Sequence, residues 1–235
     1  MTSLTDLKLY TTTAHDCSYL PDKQAKTLFI DPEFVINPEF HTHLSEIGFR
    51  RSGSHIYRPH CAQCQSCMSC RVLAKEFIAN KRFRRIMRKN ADLEVELVNS
   101  IDNDECFTLY QDYINTRHED GDMYPASREQ YEAFLVKGYE STHYYTVREQ
   151  GRLVSVMTCD HLENGLSAVF TFYDPHLNKR SLGNFGILWQ IEEARRLELP
   201  YVYLGYWIKD CLKMNYKTQY RPIELLNRQQ WTRLN

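Results

Sequence analysis

Four cysteines at a constant spacing of three, Cys61, Cys64, Cys67 and Cys70, form the densest group of metal-binding side chains in the sequence. Thiolates this close on one loop suit zinc or an iron–sulfur cluster, with Cys17 as a further ligand. The spacing matches neither standard pattern. A zinc ribbon separates its C-x-x-C knuckles by roughly 15 to 20 residues. The bacterial ferredoxin run, C-x2-C-x2-C-x3-C-P, has a last spacer one residue longer and ends in Pro, where Arg71 stands here. A cysteine-rich turn of reduced thiols is the alternative.

Between Asn80 and Asn90 lie Lys81, Arg82, Arg84, Arg85, Arg88 and Lys89 with no acid among them, interleaved with Phe83, Ile86 and Met87. On a helix the apolar residues make a narrow seam and the cations fan around it, so the phosphate backbone of a nucleic acid is the natural partner. Lys209, Lys213, Lys217 and Arg221 recur at every fourth residue and read as a second phosphate-facing edge. A third group, Arg180-Ser-Leu-Gly183-Asn-Phe-Gly186, precedes an amphipathic stretch; glycines and unpaired amides at a helix start suit a phosphate.

These groups need elements to hold them. Asp104 to Arg117 places Phe107, Tyr110, Tyr113 and Ile114 at helical spacing, and Ser127-Arg-Glu-Gln130 is a capping box that opens a helix through Phe134 and Leu135. His143 to Val147, Leu153 to Cys159 and Leu166 to Tyr173 are β-branched or aromatic runs. Gln150-Gly151 and Glu163-Asn164-Gly165 separate them as hairpin turns, predicting an antiparallel meander. A helix over Ile187 to Leu197, stopped by Pro200, leads to a buried strand at Tyr201 to Ile208. The first 100 residues, with Pro21, Pro32, Pro38, Pro59 and five cysteines, read as a smaller, irregular cysteine-rich α+β region carrying the basic helix. Residues 101–235 read as a second, more regular unit.

Composition bounds the function. At 43% hydrophobic and 25% charged, 235 residues can bury a sizeable core, which excludes disorder as the main state. A net charge of -1 excludes a globally basic nucleic-acid coat and leaves local patches to meet an anion. No apolar run is long enough for a membrane span, and the opening MTSLTDLKLY lacks a signal-peptide layout. A cytoplasmic protein without a membrane partner is therefore expected, with thiols kept reduced.

The order β-β-β, loop, α, β matches the core of the GCN5-related acyltransferases. The glycine segment falls where that fold holds a pyrophosphate, although its second Gly comes one residue late for the usual R-x-x-G-x-G/A. An acyl-CoA N-acetyltransferase is thus one alternative, and a non-enzymatic cysteine-rich RNA-binding module another. More specific stretches run nearly end to end: Cys17-Ser-Tyr-Leu-Pro-Asp22, Gly48-Phe-Arg-Arg-Ser-Gly53, Tyr57-Arg-Pro59, Cys70-Arg71, Arg82-Phe-Arg-Arg85, Lys89-Asn90, Tyr173-Asp-Pro175, Ser181-Leu-Gly183, Tyr203-Leu-Gly-Tyr206, Lys213-Met-Asn-Tyr216 and Tyr220-Arg-Pro222. In these the sequence resembles the arginyl-tRNA–protein transferases, above all their bacterial, leucyl-transferring branch.

The resemblance implies an α+β fold, a GCN5-related acyltransferase-like mixed sheet flanked by helices. It implies transfer of leucine from leucyl-tRNA to the α-amine of proteins beginning with Asp or Glu, creating an N-degron of the N-end rule. No cofactor is required for that chemistry. Eukaryotic relatives carry C-x-x-C at the early motif, but here the second position is Leu20, so Cys17 would find its partners in the 61–70 run.

In such a fold the reacting centre lies where the strand ending at Tyr173 splays from the next. Backbone N–H groups near Phe172 are then the expected oxyanion donors, and Tyr173 or Asp174 the proton-handling group. An acidic acceptor needs a cation, preferably a guanidinium, for its side chain; Arg50, Arg51 and Arg58 are the candidates, Arg51 first, with Lys217 and Arg221 next. Arg180, Gly183 and Gly186 join the basic helix as tRNA contacts.

Overall fold

The computed structural model describes residues 7–234; residues 1–6, read above for a targeting segment, lie outside the described residues. The chain opens with β1 (Leu9–Thr11), a ribbon of β2 (His15–Asp16) and β3 (Gln24–Ala25), β4 (Thr27–Ile30), helix α1 (Pro38–Glu46), β5 (Arg50–Ser52) and β6 (His55–Pro59). Asn37 caps α1 by accepting from the Phe40 amide at 2.8 Å, and Pro38 occupies the first turn, where its missing N–H costs nothing. Four of these strands form a sheet in the order β1-β4-β6-β5 over a core of Leu28, Ile30, Leu44, Phe49 and Ile56.

Then come β7 (Met68–Leu73), α2 (Lys81–Lys89), β8 (Glu94–Val98), α3 (Asp104–Arg117) and α4 (Arg128–Tyr131), which runs on as a π-helical turn, Glu132–Val136. The expected meander follows as β9 (Thr142–Glu149), β10 (Arg152–Leu162) and β11 (Gly165–Tyr173). After it lie α5 (Leu182–Arg196), β12 (Tyr201–Trp207), α6 (Leu212–Asn215), β13 (Ile223–Asn227) and β14 (Gln230–Leu234). The large sheet has the order β14-β13-β7-β12-β11-β10-β9-β8. All its pairs are antiparallel except β11 with β12, joined by α5, so the sheet is mixed and flanked by helices as expected.

Phe83 and Ile86 of α2 pack with Leu182, Leu188 and Ile191 of α5 against Val147, Met157 and Val202. A second cluster of Tyr110, Tyr113 and Ile114 from α3, with Tyr131 and Leu135, packs against Val156 and Phe172. The large sheet crosses the boundary drawn at residue 100. β7 sits between β12 and β13, and β8 forms an edge, because their apolar residues have no other core to join.

The helix expected from Ile187 begins five residues earlier, so Arg180–Gly186 is mostly helix rather than loop. Both glycines face packed neighbours: a Cβ on Gly183 would lie 3.2 Å from the Tyr173 ring, and one on Gly186 3.2 Å from the Met157 sulfur. Glycine here lets the helix approach the sheet instead of turning the chain.

Candidate active site

β11 and β12 pair only from Gly165–Ser167 to Tyr201–Tyr203. Beyond Ser167 the strands diverge and leave the outer edge of β11 without a strand partner, and a cavity of about 680 Å³ opens in the wedge. Arg50 reaches it from β5. It donates to Ser167 Oγ at 2.8 Å and to Ala168 O at 2.6 Å, where strand pairing ends. A side chain at residue 205 would meet this guanidinium at 3.4 Å, and a φ of +80° there also requires glycine.

Lys217 comes from the 3-10 turn Tyr216–Gln219 and is 6% exposed. Its ammonium donates to Tyr206 O, and burial pushes its pKa down to about 8, with Cys70 opposing the fall and Arg50 adding to it. Neither Arg50 nor Lys217 has a carboxylate partner among the described residues. The other cations lining the cavity are engaged: Arg51 with Asp160, Lys213 with Asp120, and Arg117 with Asn178. No Asp or Glu lines the cavity among the described residues. The cavity also has an aromatic wall of Phe134, Phe170, Tyr113 and Tyr173, and Leu182, Ile187 and Leu204 line it as well.

Several residues singled out in the sequence are placed otherwise. Arg51, the first choice for the acceptor's side chain, is in a buried ion pair: its Nε lies 2.8 Å from Asp160 Oδ2, with the two side chains 1% and 0% exposed. One nitrogen, Nη2, keeps no partner among the described residues. Asp160 is held below the usual carboxylate range; burial, the largest single influence, works to raise it, but Arg51, His41 and Thr142 together outweigh burial. Arg58 lies over the Phe49 ring at 4.8 Å and faces the cysteines.

Phe172 is fully buried, and only its neighbours Thr171 and Tyr173 line the cavity. Asp174 faces away, pairing with Arg152 at 2.8 Å and accepting from the His176 amide, so it shapes the turn before α5. Tyr173 does line the cavity. Arg180 is not free for a phosphate: Asp92 and Glu149 hold it, and their carboxylates raise its pKa further. Gly183 lines the cavity, whereas Gly186 is buried against the sheet.

The α2 cations fan out as expected. Lys81, Arg82, Arg84, Arg85, Arg88 and Lys89 are all exposed, and none is in an ion pair among the described residues. The second basic series is not one edge: Lys209 and Arg221 are exposed, Lys213 is paired and Lys217 points inward.

Cys17, Cys61, Cys64 and Cys67 surround a second cavity of about 390 Å³. Cys70 is not among them. It is buried on β7, its sulfur 3.3 Å from Gly205 O, and burial holds its thiol up near 11. Burial and the surrounding thiols push Cys67 to about 12, a repulsion that a bound cation would relieve. Hydrogen bonds from Ser66 lower Cys64. No three of these sulfurs lie within 4.8 Å of one another among the described residues. A tetrahedral zinc with bonds of about 2.3 Å needs its sulfurs about 3.8 Å apart, closer than any three of these stand.

Sequence reasoning did not find His118, Phe134 or Phe170. The two phenylalanines carry the signature of core residues, and no local pattern marks the histidine.

The family description "Arginine-tRNA-protein transferase, N terminus" matches residues 15–85, and "Arginine-tRNA-protein transferase, C terminus" matches residues 105–227. The chain is 56% identical to proteins called aspartate/glutamate leucyltransferase in Pseudomonas putida (strain W619) and Pseudomonas entomophila (strain L48), covering 100% of both chains in each comparison. It is 53% identical to one in Teredinibacter turnerae, covering 100% of this chain and 97% of that one. Among solved structures, L-PGS from Bacillus licheniformis overlays 61% of this chain and 46% of its own, with a TM-score of 0.47 and 12% identity, a loose likeness. Matched in both halves and along its whole length, the chain belongs to the arginyl-tRNA–protein transferase family.

Proposed function

We infer that this chain is an aminoacyltransferase that moves leucine from leucyl-tRNA to the α-amine of proteins beginning with Asp or Glu, creating an N-degron. The observation that carries the choice of substrates is a cavity with no carboxylate and two unpaired cations, Arg50 and Lys217. An acidic first side chain finds a partner there, while a basic one, or an arginyl donor, meets only like charge. The isobutyl group of leucine suits the apolar wall of Phe134, Phe170 and Ile187.

The donor is an ester to the terminal ribose. An α-amine with a pKa of roughly 7.7 to 8.0 is already about a tenth neutral at pH 7, so orientation and an oxyanion site carry much of the task. The unpaired edge of β11 near Val169–Thr171 and the first-turn amides of α5, which no side chain caps, offer the oxyanion donors.

The exposed cations of α2 are assigned to the tRNA phosphates. Arg180 accompanies them as a clamp rather than a contact: its carbonyl accepts from Asn90 Nδ2 at 2.9 Å, tying the end of α2 to the start of α5 beside the cavity. With Arg180 paired and Gly186 buried, the phosphate site of the acetyltransferase alternative has little left to hold its ligand. Cys17, Cys61, Cys64 and Cys67 are assigned to an iron–sulfur cluster, with no step of the transfer routed through it. A cytoplasmic location fits the two substrates, and no helix of the described residues is long and apolar enough to cross a membrane.

The test is transfer of labelled Leu or Arg from charged tRNA to peptides beginning Asp, Glu, Arg or Ala. Leucine on Asp and Glu alone is the expected result. Arginine transfer, or equal use of basic acceptors, would overturn the reading.

A further inference from the structure

The α3 side of the cavity holds a line of groups that the charge argument leaves unused. His118 caps the end of α3, half-buried, with Nε2 3.1 Å from the Tyr113 hydroxyl. The Tyr113 ring is 4.8 Å from that of Tyr173. The Tyr173 hydroxyl lies against the first turn of α5, 3.7 Å from where a Cβ on Gly183 would be. All three side chains line the same cavity. Tyr216 stands close enough to Tyr173 and to Cys70 for their charges to interact, and Cys70 is in turn a neighbour of Lys217 and Arg50. The phenols and the acceptor's cations therefore line one cavity.

Resting on the transfer reading above, we propose that His118 receives the proton of the attacking α-amine through Tyr113, with the Tyr173 ring beside it. The amine lone pair forms the C–N bond to the ester carbonyl carbon. One N–H proton passes to the Tyr113 oxygen as that phenol gives its own to His118 Nε2. When the C–O bond breaks, the ribose oxygen keeps the bonding pair, and the imidazolium returns the proton by the same route. An amide and a free ribose hydroxyl result, with no net change in protonation. Because it acts through the phenol, His118 is a positioning residue for the proton.

The charged groups around His118 are Arg117, Lys213 and Asp120, with Tyr113 as its hydrogen-bond partner. Burial, Lys213 and Arg117 favour the neutral ring against the opposing pull of Asp120, and only the neutral ring can accept a proton.

The experiment compares His118→Gln, Tyr113→Phe and the double variant with wild type, using leucyl-tRNA and an Asp-starting peptide from pH 5 to 8. Taking the ratio of variant to wild-type kcat cancels titration of the acceptor amine. At pH 8 each single variant is expected to lose about a hundredfold in kcat with both KM values within twofold, the lower range of general acid–base contributions. The double variant should be no worse than either, and the deficit should shrink toward pH 5 as wild-type His118 protonates. Added imidazole should restore activity to His118→Ala but not to Tyr113→Phe. A deficit independent of pH, multiplying losses or an unchanged kcat would overturn the relay. Wild-type protein that transfers no leucine at all would overturn the function instead.

Discussion

Lys217→Met should make the protein more stable and less active, a pairing of signs that follows from a buried cation without a counter-ion. Its pKa of about 8, against 10.5 for the free side chain, corresponds to about 3 kcal/mol of destabilisation at pH 7. Methionine nearly conserves the volume but orphans Tyr206 O, which gives back about 1–3 kcal/mol. A net gain of about 1 kcal/mol is expected, or roughly 2–4 °C in a chain of this length. The sign can be checked through linkage. A lysine whose folded pKa is depressed penalises the fold fully below the folded value, and the penalty fades as pH rises to the unfolded one, so the advantage of Lys217→Met should vanish between pH 8 and about 10.5. Transfer should move the other way. Removing one partner of a desolvated charge pair costs about 2–5 kcal/mol, and since Arg50 remains, the lower part of that range, a drop of about 30- to 150-fold in kcat/KM for Asp-starting peptides, is expected. Thermal unfolding at pH 7 and 10, together with labelled-leucine transfer, reads both effects. A melting point that falls, or transfer that is unchanged, refutes the assignment of Lys217 to the acceptor carboxylate.

Arg51→Met strands Asp160 without its cation and should cost about 3–5 kcal/mol in denaturant unfolding, with any loss of transfer following loss of fold; a stable but inactive variant would return Arg51 to the acceptor site. Replacing both Arg84 and Arg85 with Ala should weaken tRNA binding and lower the salt slope by about 1 for each phosphate no longer neutralised, read from binding at two or more salt concentrations. Unchanged affinity and slope would free α2 of that role. Anaerobically purified protein should carry iron and sulfide, lost in Cys64→Ser with Cys67→Ser but kept in Cys70→Ser, because Cys70 lies outside the group of four. Zinc at a full equivalent without sulfide would contradict this.

The sequence displays elements whose signals are local. The basic helix is legible because Asn80 caps it and Phe83 and Ile86 make its seam, and the meander because two turns bracket aromatic runs. What stays hidden depends on partners far along the chain. Arg50 and Arg51 are neighbours in a strand; only the fold reveals that Asp160 neutralises Arg51 while Arg50 reaches the cavity with no carboxylate partner among the described residues. Cys70 shares the spacing of its run but has already entered β7, where the pleat turns it inward. Gly183 and Gly186 look like loop residues because close helix–sheet contact and chain reversal both call for glycine.

Among the described residues, the three residue pairs that join β11 to β12 are the one strand pairing between two four-stranded halves of the large sheet. Arg50 of β5 holds the β11 side of that seam, through Ser167 and Ala168. A substrate that binds in the wedge binds only the folded chain, so occupancy and stability are coupled. At a hundred times its dissociation constant, a ligand that binds only the folded chain adds about 2.7 kcal/mol of stability. The loaded enzyme is thus the more stable one, and release of product gives that increment back.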